Sequence, residues 1–129
     1  MPAVTPESRC PCLSGETYGS CCLPLHRGEA RATTATRLMR SRYSAFAVGD
    51  AAYLLETWDP ATRPDTLELD PETRWYRLDI VGSTGGGLLD RTGTVTFEAR
   101  YRHGAAAGVQ SEESRFRRVG DRWVYVDAA

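Results

Sequence analysis

The sequence predicts an α+β fold, in which a cysteine-rich segment is followed first by helices and then by antiparallel strands. Apolar residues recur at three- and four-residue spacing between positions 35 and 58, which is typical of amphipathic helices. After residue 74 the apolar period changes to two, which indicates strands. Helices segregated before an antiparallel sheet favour α+β over α/β architecture. At 129 residues we expect one main domain, residues 31–129, preceded by a small unit, residues 1–30.

The composition is that of a globular protein with an unusual set of cations. Acidic and basic residues nearly balance, and the formal net charge is −1. All 16 basic residues are arginines, which excludes lysine-dependent chemistry such as a Schiff base or a P-loop. No run of 18 apolar residues occurs, and the N-terminal segment lacks the apolar run of a signal peptide. We therefore expect no membrane span and a cytoplasmic location.

Two helices are expected before the strands, each with recognisable ends. Thr33 or Thr34 can cap the first helix, and Gly49 is placed to end it. Asp50 can cap a second, shorter helix over residues 51–58.

Four strands are expected in the remainder of the chain, separated by glycine-containing turns. The expected strands cover residues 75–81, 93–102, 109–119 and 122–127. In the second strand apolar and polar residues alternate, so one face is apolar and the other carries Glu98 and Arg100. Three consecutive glycines in the first loop lack the strand-to-helix context of a phosphate-binding loop, and we interpret them as part of a hairpin loop.

The four cysteines form two close pairs, Cys10-x-Cys12 and Cys21-Cys22. Four thiolates at this spacing can occupy the corners of a tetrahedral zinc site, because the intervening Ser and Gly residues let the chain double back. His26 is a reserve ligand if one cysteine is not used. The alternatives are free thiols or two disulfides that each link one cysteine of either pair. Zinc is favoured because a cytoplasmic location keeps thiols reduced.

The segment CPCLSGETYGSCC resembles the SEC-C motif, the small zinc knuckle at the C-terminus of the SecA translocase ATPase. Beyond the cysteines, the match includes Pro11, Ser14, Gly15 and Tyr18. The motif usually has Gly where this chain has Leu13, and a positive φ at that position would strain a leucine. The resemblance implies a structural zinc ion and a knuckle that docks onto a protein partner.

A second resemblance covers nearly the whole chain. The segment LMRSRYSAFAVGDAAYLLETWDPATRP at 38–64, together with GTVTFEARYR, SRF and RWVYVD further on, resembles the YchJ family of bacterial proteins. It implies that the knuckle is followed by a nuclear transport factor 2-like domain. That domain would be a cone-shaped roll of two or three helices packed on a curved four-stranded antiparallel sheet, with room for a cavity between them. The resemblance implies no known activity.

Arg42 lies on the apolar face of the first expected helix. A guanidinium there must be paired or hydrogen-bonded when it is buried. Glu98, or alternatively Glu112 or Glu113, could pair with it and clamp the helix to the sheet. The other interpretation is that Arg42 faces a ligand in the mouth of the cone. Its neighbours in that candidate pocket would be Tyr43, Glu98, Arg100 and Arg115.

Two functions from different classes are compatible with the sequence. The preferred one is an adaptor whose zinc knuckle binds a protein partner and whose cone binds a small ligand. The alternative is a small cone-fold enzyme of the isomerase, dehydratase or hydrolase type, with its active site between the first helix and the sheet. Its general base would be Asp79 or Glu98, and Tyr43 or Tyr101 could donate to an oxyanion.

Other partners follow from charge and fold. Four arginines between positions 31 and 42 form a modest basic patch, but the overall charge balance argues against a dedicated nucleic-acid binder. A homodimer formed through the sheet face is a third expectation, because cone-shaped domains commonly associate in this way.

Overall fold

The computed structural model of the protein describes residues 4–129. A short 3-10 turn, Tyr18–Ser20, and helix α1, Leu23–His26, follow the first cysteines. Helices α2, Ala35–Val48, and α3, Ala51–Glu56, come next. The four strands are β1, Thr73–Gly85, β2, Thr92–His103, β3, Ala106–Val119, and β4, Arg122–Ala128. They pair antiparallel in sequence order, and the helices pack on one face of this sheet, which confirms the α+β prediction.

The predicted caps of the two helices are confirmed, but α3 ends at Glu56, two residues before the predicted end. The Thr34 hydroxyl accepts a hydrogen bond from the backbone N–H of Arg37 at 3.1 Å and so caps α2. Gly49 ends the helix with φ of +81°, a conformation that glycine adopts without steric cost. The Asp50 carboxylate accepts from the N–H of Tyr53 at 3.0 Å and caps α3.

Strands β1 and β2 are longer than predicted, because the glycines expected in the first loop extend the hairpin. The tip of the hairpin reaches the start of α2, where the carbonyl of Gly86 accepts from the N–H of Ala35 at 2.9 Å. A side chain at position 86 would put its Cβ 2.7 Å from the Cβ of Ala35, so only glycine allows this approach. The hairpin thereby satisfies a backbone donor in the first turn of α2.

One apolar core joins the N-terminal cysteine segment to the rest of the chain. The inner face of the sheet packs against α2, and α2 in turn packs against the cysteines. The cluster contains all four cysteines together with Leu38 and Tyr43 of α2 and Phe97 of β2. The knuckle is therefore held against α2 by shared burial. Within residues 4–129, no helix is both long and apolar enough to cross a membrane.

Candidate metal centre

The cysteines are presented by two tight turns and the start of a helix. The backbone N–H of Leu13 donates to the carbonyl of Cys10 at 3.0 Å, which closes the first turn around Cys12. Leu13 has φ of +61°, so a leucine occupies the left-handed region that favours glycine, and the strain considered for this position in the sequence is present. Cys21 follows the 3-10 turn, and Cys22 is the N-cap residue of α1.

The four sulfurs converge on one point. All four Sγ atoms lie within 4.8 Å of one another, and the side chains are between 0 and 6% exposed. The Cys12–Cys21 and Cys21–Cys22 Sγ separations are 3.6 and 3.9 Å. A tetrahedral metal with sulfur ligands at about 2.3 Å requires sulfur–sulfur separations of about 3.8 Å. All four thiols are free, so neither disulfide of the alternative interpretation is formed. The cluster could therefore hold a metal ion.

The pKa values of Cys12, Cys21 and Cys22 are shifted in different directions. Hydrogen bonds from Cys10 and Cys22 lower the pKa of Cys12, which is the preferred thiolate. The hydrogen bonds that Cys22 donates to Cys10 and Cys12 raise the pKa of Cys22. Burial raises the pKa of Cys21. A metal cation would replace the protons that these neighbouring thiols hold.

Two arginines of α2 donate hydrogen bonds to the cysteine residues. Arg37 donates from Nη1 to the Cys22 sulfur at 3.6 Å and from Nη2 to the Cys21 carbonyl. Arg40 donates from Nη1 to the Cys12 carbonyl at 2.7 Å. Four thiolates around a divalent cation carry a net charge of −2, and these guanidinium groups compensate it. From the sequence alone, both arginines were assigned only to a modest basic patch. Their three-residue spacing, which puts them on one side of the helix, was the available signal.

His26 is not part of the cysteine cluster. Its Nδ1 lies 2.7 Å from the Tyr18 hydroxyl, and its Nε2 lies 2.8 Å from the carbonyl of Ser41. Burial lowers the pKa of His26, which favours a neutral ring that donates from Nε2 and accepts at Nδ1. Both ring nitrogens are used within the fold, so His26 is not available as the reserve ligand.

The expected cone pocket is not assembled from the five residues named for it. Arg42 and Tyr43 are buried on α2, on the inner side of the sheet. Glu98 and Arg100 lie on the outer face, 4.0 Å apart, because Phe97 and Ala99 occupy the alternating inner positions of β2.

Arg115 also lies apart from Arg42. Its side chain is 54% exposed and forms two hydrogen bonds with Asp127, at 2.6 and 2.8 Å. These contacts join β3 to β4 at the surface. The grouping of Arg115 with Arg42 in one pocket is therefore wrong.

The predicted pairing of Arg42 with Glu98, Glu112 or Glu113 is also wrong. Arg42 is 5% exposed, and its Nη1 donates to the Leu54 carbonyl at 2.8 Å and to the Thr57 hydroxyl at 2.7 Å. Glu98 is directed to the opposite side of the sheet, and so is Glu113, which stands opposite Thr96 on the outer face.

Aromatic rings take the place that the expected carboxylate would have filled. The guanidinium carbon of Arg42 lies 5.2 Å from the centre of the Trp58 ring and 4.7 Å from that of Tyr125. Cation–π contact of this kind stabilises a desolvated guanidinium. Arg42 does connect α2 to the sheet, but through Tyr125 of β4 instead of an ion pair.

A buried ion pair between Asp59 and Arg117 was not foreseen. Asp59 is 2% exposed. Its carboxylate accepts hydrogen bonds from Nε and Nη2 of Arg117, the latter at 2.8 Å. The Arg117 guanidinium lowers the pKa of Asp59 to about 2. The Asp59 carboxylate also accepts from the N–H of Ala61 at 2.9 Å. The pair fixes the segment after α3 to β3, and nothing in the local sequence pattern indicates a partner 58 residues away.

Comparison with known families identifies relatives over most of the chain. The sequence pattern of the family described as "YchJ, middle NTF2-like domain" matches residues 34–128. A UPF0225 protein of Corynebacterium glutamicum is 59% identical over 117 residues, covering 91% of this chain and 93% of that protein. A UPF0225 protein of Streptomyces coelicolor is 52% identical over 122 residues and covers 95% of each chain.

Two solved structures are similar in fold and in the N-terminal motif. The solution structure of a SEC-C motif containing protein from Rhodopseudomonas palustris superimposes with a TM-score of 0.81 at 37% identity, covering 93% of this chain and 96% of that one. The crystal structure of a SEC-C motif containing protein from Psychrobacter arcticus gives a TM-score of 0.78 at 28% identity, covering 95% and 82%.

Proposed function

The chain belongs to the YchJ family, whose relatives are the UPF0225 proteins, and from this premise we propose that it is an adaptor organised by a structural zinc site. The observation that carries the proposal is the convergence of four buried Sγ atoms within 4.8 Å. Four cysteine ligands leave a zinc ion no open position, so the metal would stabilise the knuckle and not perform catalysis. The requirement for reduced thiols supports a cytoplasmic location.

Zinc content tests the metal half of the proposal. Protein purified without added metal is expected to contain one zinc ion per chain by elemental analysis. Cys12→Ser should lose it, because three thiolates bind zinc more weakly and Cys12 lies at the centre of the hydrogen-bonded thiols. Ser20→Ala, which changes an exposed residue in the same segment, is the control and should keep the metal. Folded, metal-free wild-type protein would refute the zinc assignment.

The exposed surface of the knuckle supports a partner-binding role. Leu13 is 50% exposed at the tip of the first turn, and Ser14, Gly15 and Glu16 beside it are exposed as well. An apolar side chain raised on a rigid turn is a suitable anchor for a protein partner, since contact costs little conformational entropy there. The resemblance of this segment to the SecA knuckle supports the same role.

The partner-binding role is tested by a variant that keeps the metal. Leu13→Ser should retain zinc and lose partners recovered by quantitative affinity purification of the wild type. Leu89→Ser alters a leucine that is 97% exposed on the opposite hairpin and should leave the partners unchanged. An identical set of partners for wild type and Leu13→Ser would contradict docking through the knuckle.

The positions of the expected general bases favour binding over the enzymatic alternative. Asp79 pairs with Arg77 at 2.9 Å on the outer face, and Glu98 is 43% exposed on that face too. A general base of a cone-fold isomerase needs a desolvated position inside the cone. Asp59 is desolvated, but its pairing with Arg117 keeps it ionised and engaged.

A further inference from the structure

Helix α2 and the inner face of the sheet enclose a cleft lined by Arg42, where one interpretation of the sequence expected a ligand. We call it the Arg42 cleft, and its walls are formed by Met39, Arg42, Phe46, Phe97, Glu112 and Tyr125. Its main cavity has a volume of about 180 Å³, and an adjoining cavity of about 50 Å³ shares Met39, Phe46 and Phe97. Both are smaller than the roughly 300–1,000 Å³ of sites for drug-sized ligands, so a small molecule is the fitting occupant.

Arg42 brings to this cleft a positive charge that forms no close ion pair in the described part of the chain, and Glu112 of the same cleft attracts it only from a greater distance. No carboxylate of residues 4–129 lies within 4.0 Å of its guanidinium, although the residue is only 5% exposed. Burying a guanidinium is costly, and the aromatic contacts and two hydrogen bonds of Arg42 offset this cost without a directly bound carboxylate. Burial lowers the pKa of Arg42 to about 10, so the group stays charged at neutral pH.

One edge of the Arg42 guanidinium is free. Its hydrogen bonds to protein groups use Nη1 alone, so Nε and Nη2 have no acceptor among the described residues. Arg115 and Arg117 use this same Nε–Nη2 edge to hold the carboxylates of Asp127 and Asp59. That edge matches the two oxygens of a carboxylate.

A further donor at this end of the cleft lacks an acceptor. Trp58 lines the main cavity, and its indole Nε1 is buried without a hydrogen-bond partner in the described part of the chain. Buried N–H groups are nearly always paired, so the Trp58 donor is a second polar group near Arg42 that lacks an acceptor.

Glu112 limits which anions the cleft can accept. Its carboxylate lines the same cleft, where it accepts from the hydroxyls of Tyr125, at 3.2 Å, and Ser114. A second negative charge on the ligand would approach this carboxylate in a site with little water and would be repelled. The lining of the cleft also includes the apolar side chains of Met39, Phe46 and Phe97.

We propose that the Arg42 cleft binds a small organic monocarboxylate with an apolar body. The carboxylate accepts from Nε and Nη2 of Arg42, and the apolar body packs on Met39, Phe46 and Phe97. Glu112 excludes dicarboxylates. The inference goes beyond the proposed adaptor function and is independent of the metal.

The test compares matched small probes on the full-length protein. Butyrate and benzoate should bind, whereas benzamide, which has the shape of benzoate without its charge, should bind at least about tenfold more weakly because the charge-assisted hydrogen bonds are lost. Terephthalate, a dicarboxylate, should also bind at least about tenfold more weakly than benzoate. Trp58 fluorescence and ligand-observed NMR report the binding. Equal affinity for benzoate and benzamide, or binding of neither butyrate nor benzoate at millimolar concentration, would overturn the inference.

Substitutions in the Arg42 cleft test whether benzoate binds there. Arg42→Met should abolish benzoate binding, and Arg115→Met, on the outer face, should not change it. Because Arg42→Met removes a buried residue and could unfold the chain, Glu112→Gln is the second variant. It should raise the affinity for terephthalate by about tenfold or more through loss of repulsion. Unchanged terephthalate binding in Glu112→Gln contradicts the assigned orientation. Zinc content is measured in the same samples, so failure of the cleft and failure of the metal site are distinguished.

Discussion

Leu13 is a single residue whose backbone stores strain, in the turn that carries Cys10 and Cys12. An L-residue in the left-handed region costs about 1–2 kcal/mol, and half of the Leu13 side chain is exposed, so its burial returns little of that cost. The strain was predictable from the sequence, because the knuckle motif usually has glycine at this position.

Leu13→Gly is therefore expected to stabilise the metal-loaded protein by about 0.5–1 kcal/mol, since the relief of strain exceeds the entropy cost of glycine in the unfolded chain. Urea unfolding with zinc present measures the change. Leu89→Gly is the control, because Leu89 is fully exposed and is not among the residues of positive φ. It should show no gain. A destabilised Leu13→Gly would mean that the leucine side chain contributes more than its strain costs.

Asp59 is a residue at which charge and stability are coupled. Arg117→Met leaves the buried Asp59 carboxylate unpaired and should lower the free energy of unfolding at neutral pH. Arg115→Met removes a bidentate pair of similar geometry at the surface and should lower it clearly less. Equal costs for the two variants would show that burial of Asp59 adds nothing.

The pH dependence of the same pair has a defined sign. The folded-state pKa of Asp59, about 2, is depressed from its ordinary value of 3.8, so its contribution is complete above that value. It is lost as the pH falls from about 4 to about 2. The stability difference between wild type and Asp59→Asn should therefore narrow over this range in urea unfolding. A difference that stays constant down to pH 2 would contradict the pairing.

Helix α2 is the element that connects the metal centre, the core and the Arg42 cleft. One side carries Arg37 and Arg40 to the cysteine carbonyls and sulfurs, and another carries Arg42 to the aromatic rings of the cleft. The helix ends were predictable because Thr34, Gly49 and Asp50 act on backbone groups within three or four residues of themselves. The partners of the arginines were not predictable, because they depend on where the knuckle and β4 pack against the helix.

Arg37 should influence metal binding without being a ligand. Arg37→Met removes the donor to the Cys22 sulfur and a compensating charge, and we expect a 10–100-fold loss of zinc affinity. Competition with a chromophoric chelator measures it. Arg31→Met, which breaks only the exposed pair with Asp121, is the matched control and should bind zinc like the wild type. Equal affinities of the Arg37 and Arg31 variants would contradict the compensating role.

At the scale of the whole molecule, the knuckle and the sheet share a core. The strand pattern predicted the sheet well, since its alternation is local, but the buried contact between the cysteines and α2 is a tertiary feature that no periodicity encodes. If the knuckle did not pack against α2, metal binding would not change the stability of the sheet.

Metal removal should therefore weaken the entire fold. Chelation is expected to lower the Tm by about 10 °C or more, in a single transition that is also seen by the tryptophans. Trp58, Trp75 and Trp123 all lie outside the knuckle, so their fluorescence reports on the rest of the molecule. An unchanged tryptophan transition after complete metal removal would show that the two parts unfold independently.

The central claim is a closed site of four thiolates. X-ray absorption at the zinc edge of the purified protein measures the ligand set directly. We predict four sulfur atoms at about 2.3 Å and no nitrogen or oxygen ligand. A shell of three sulfurs with one nitrogen or oxygen at about 2.0–2.1 Å would contradict the assignment, because it would require an open or substituted position that Cys10, Cys12, Cys21 and Cys22 do not leave.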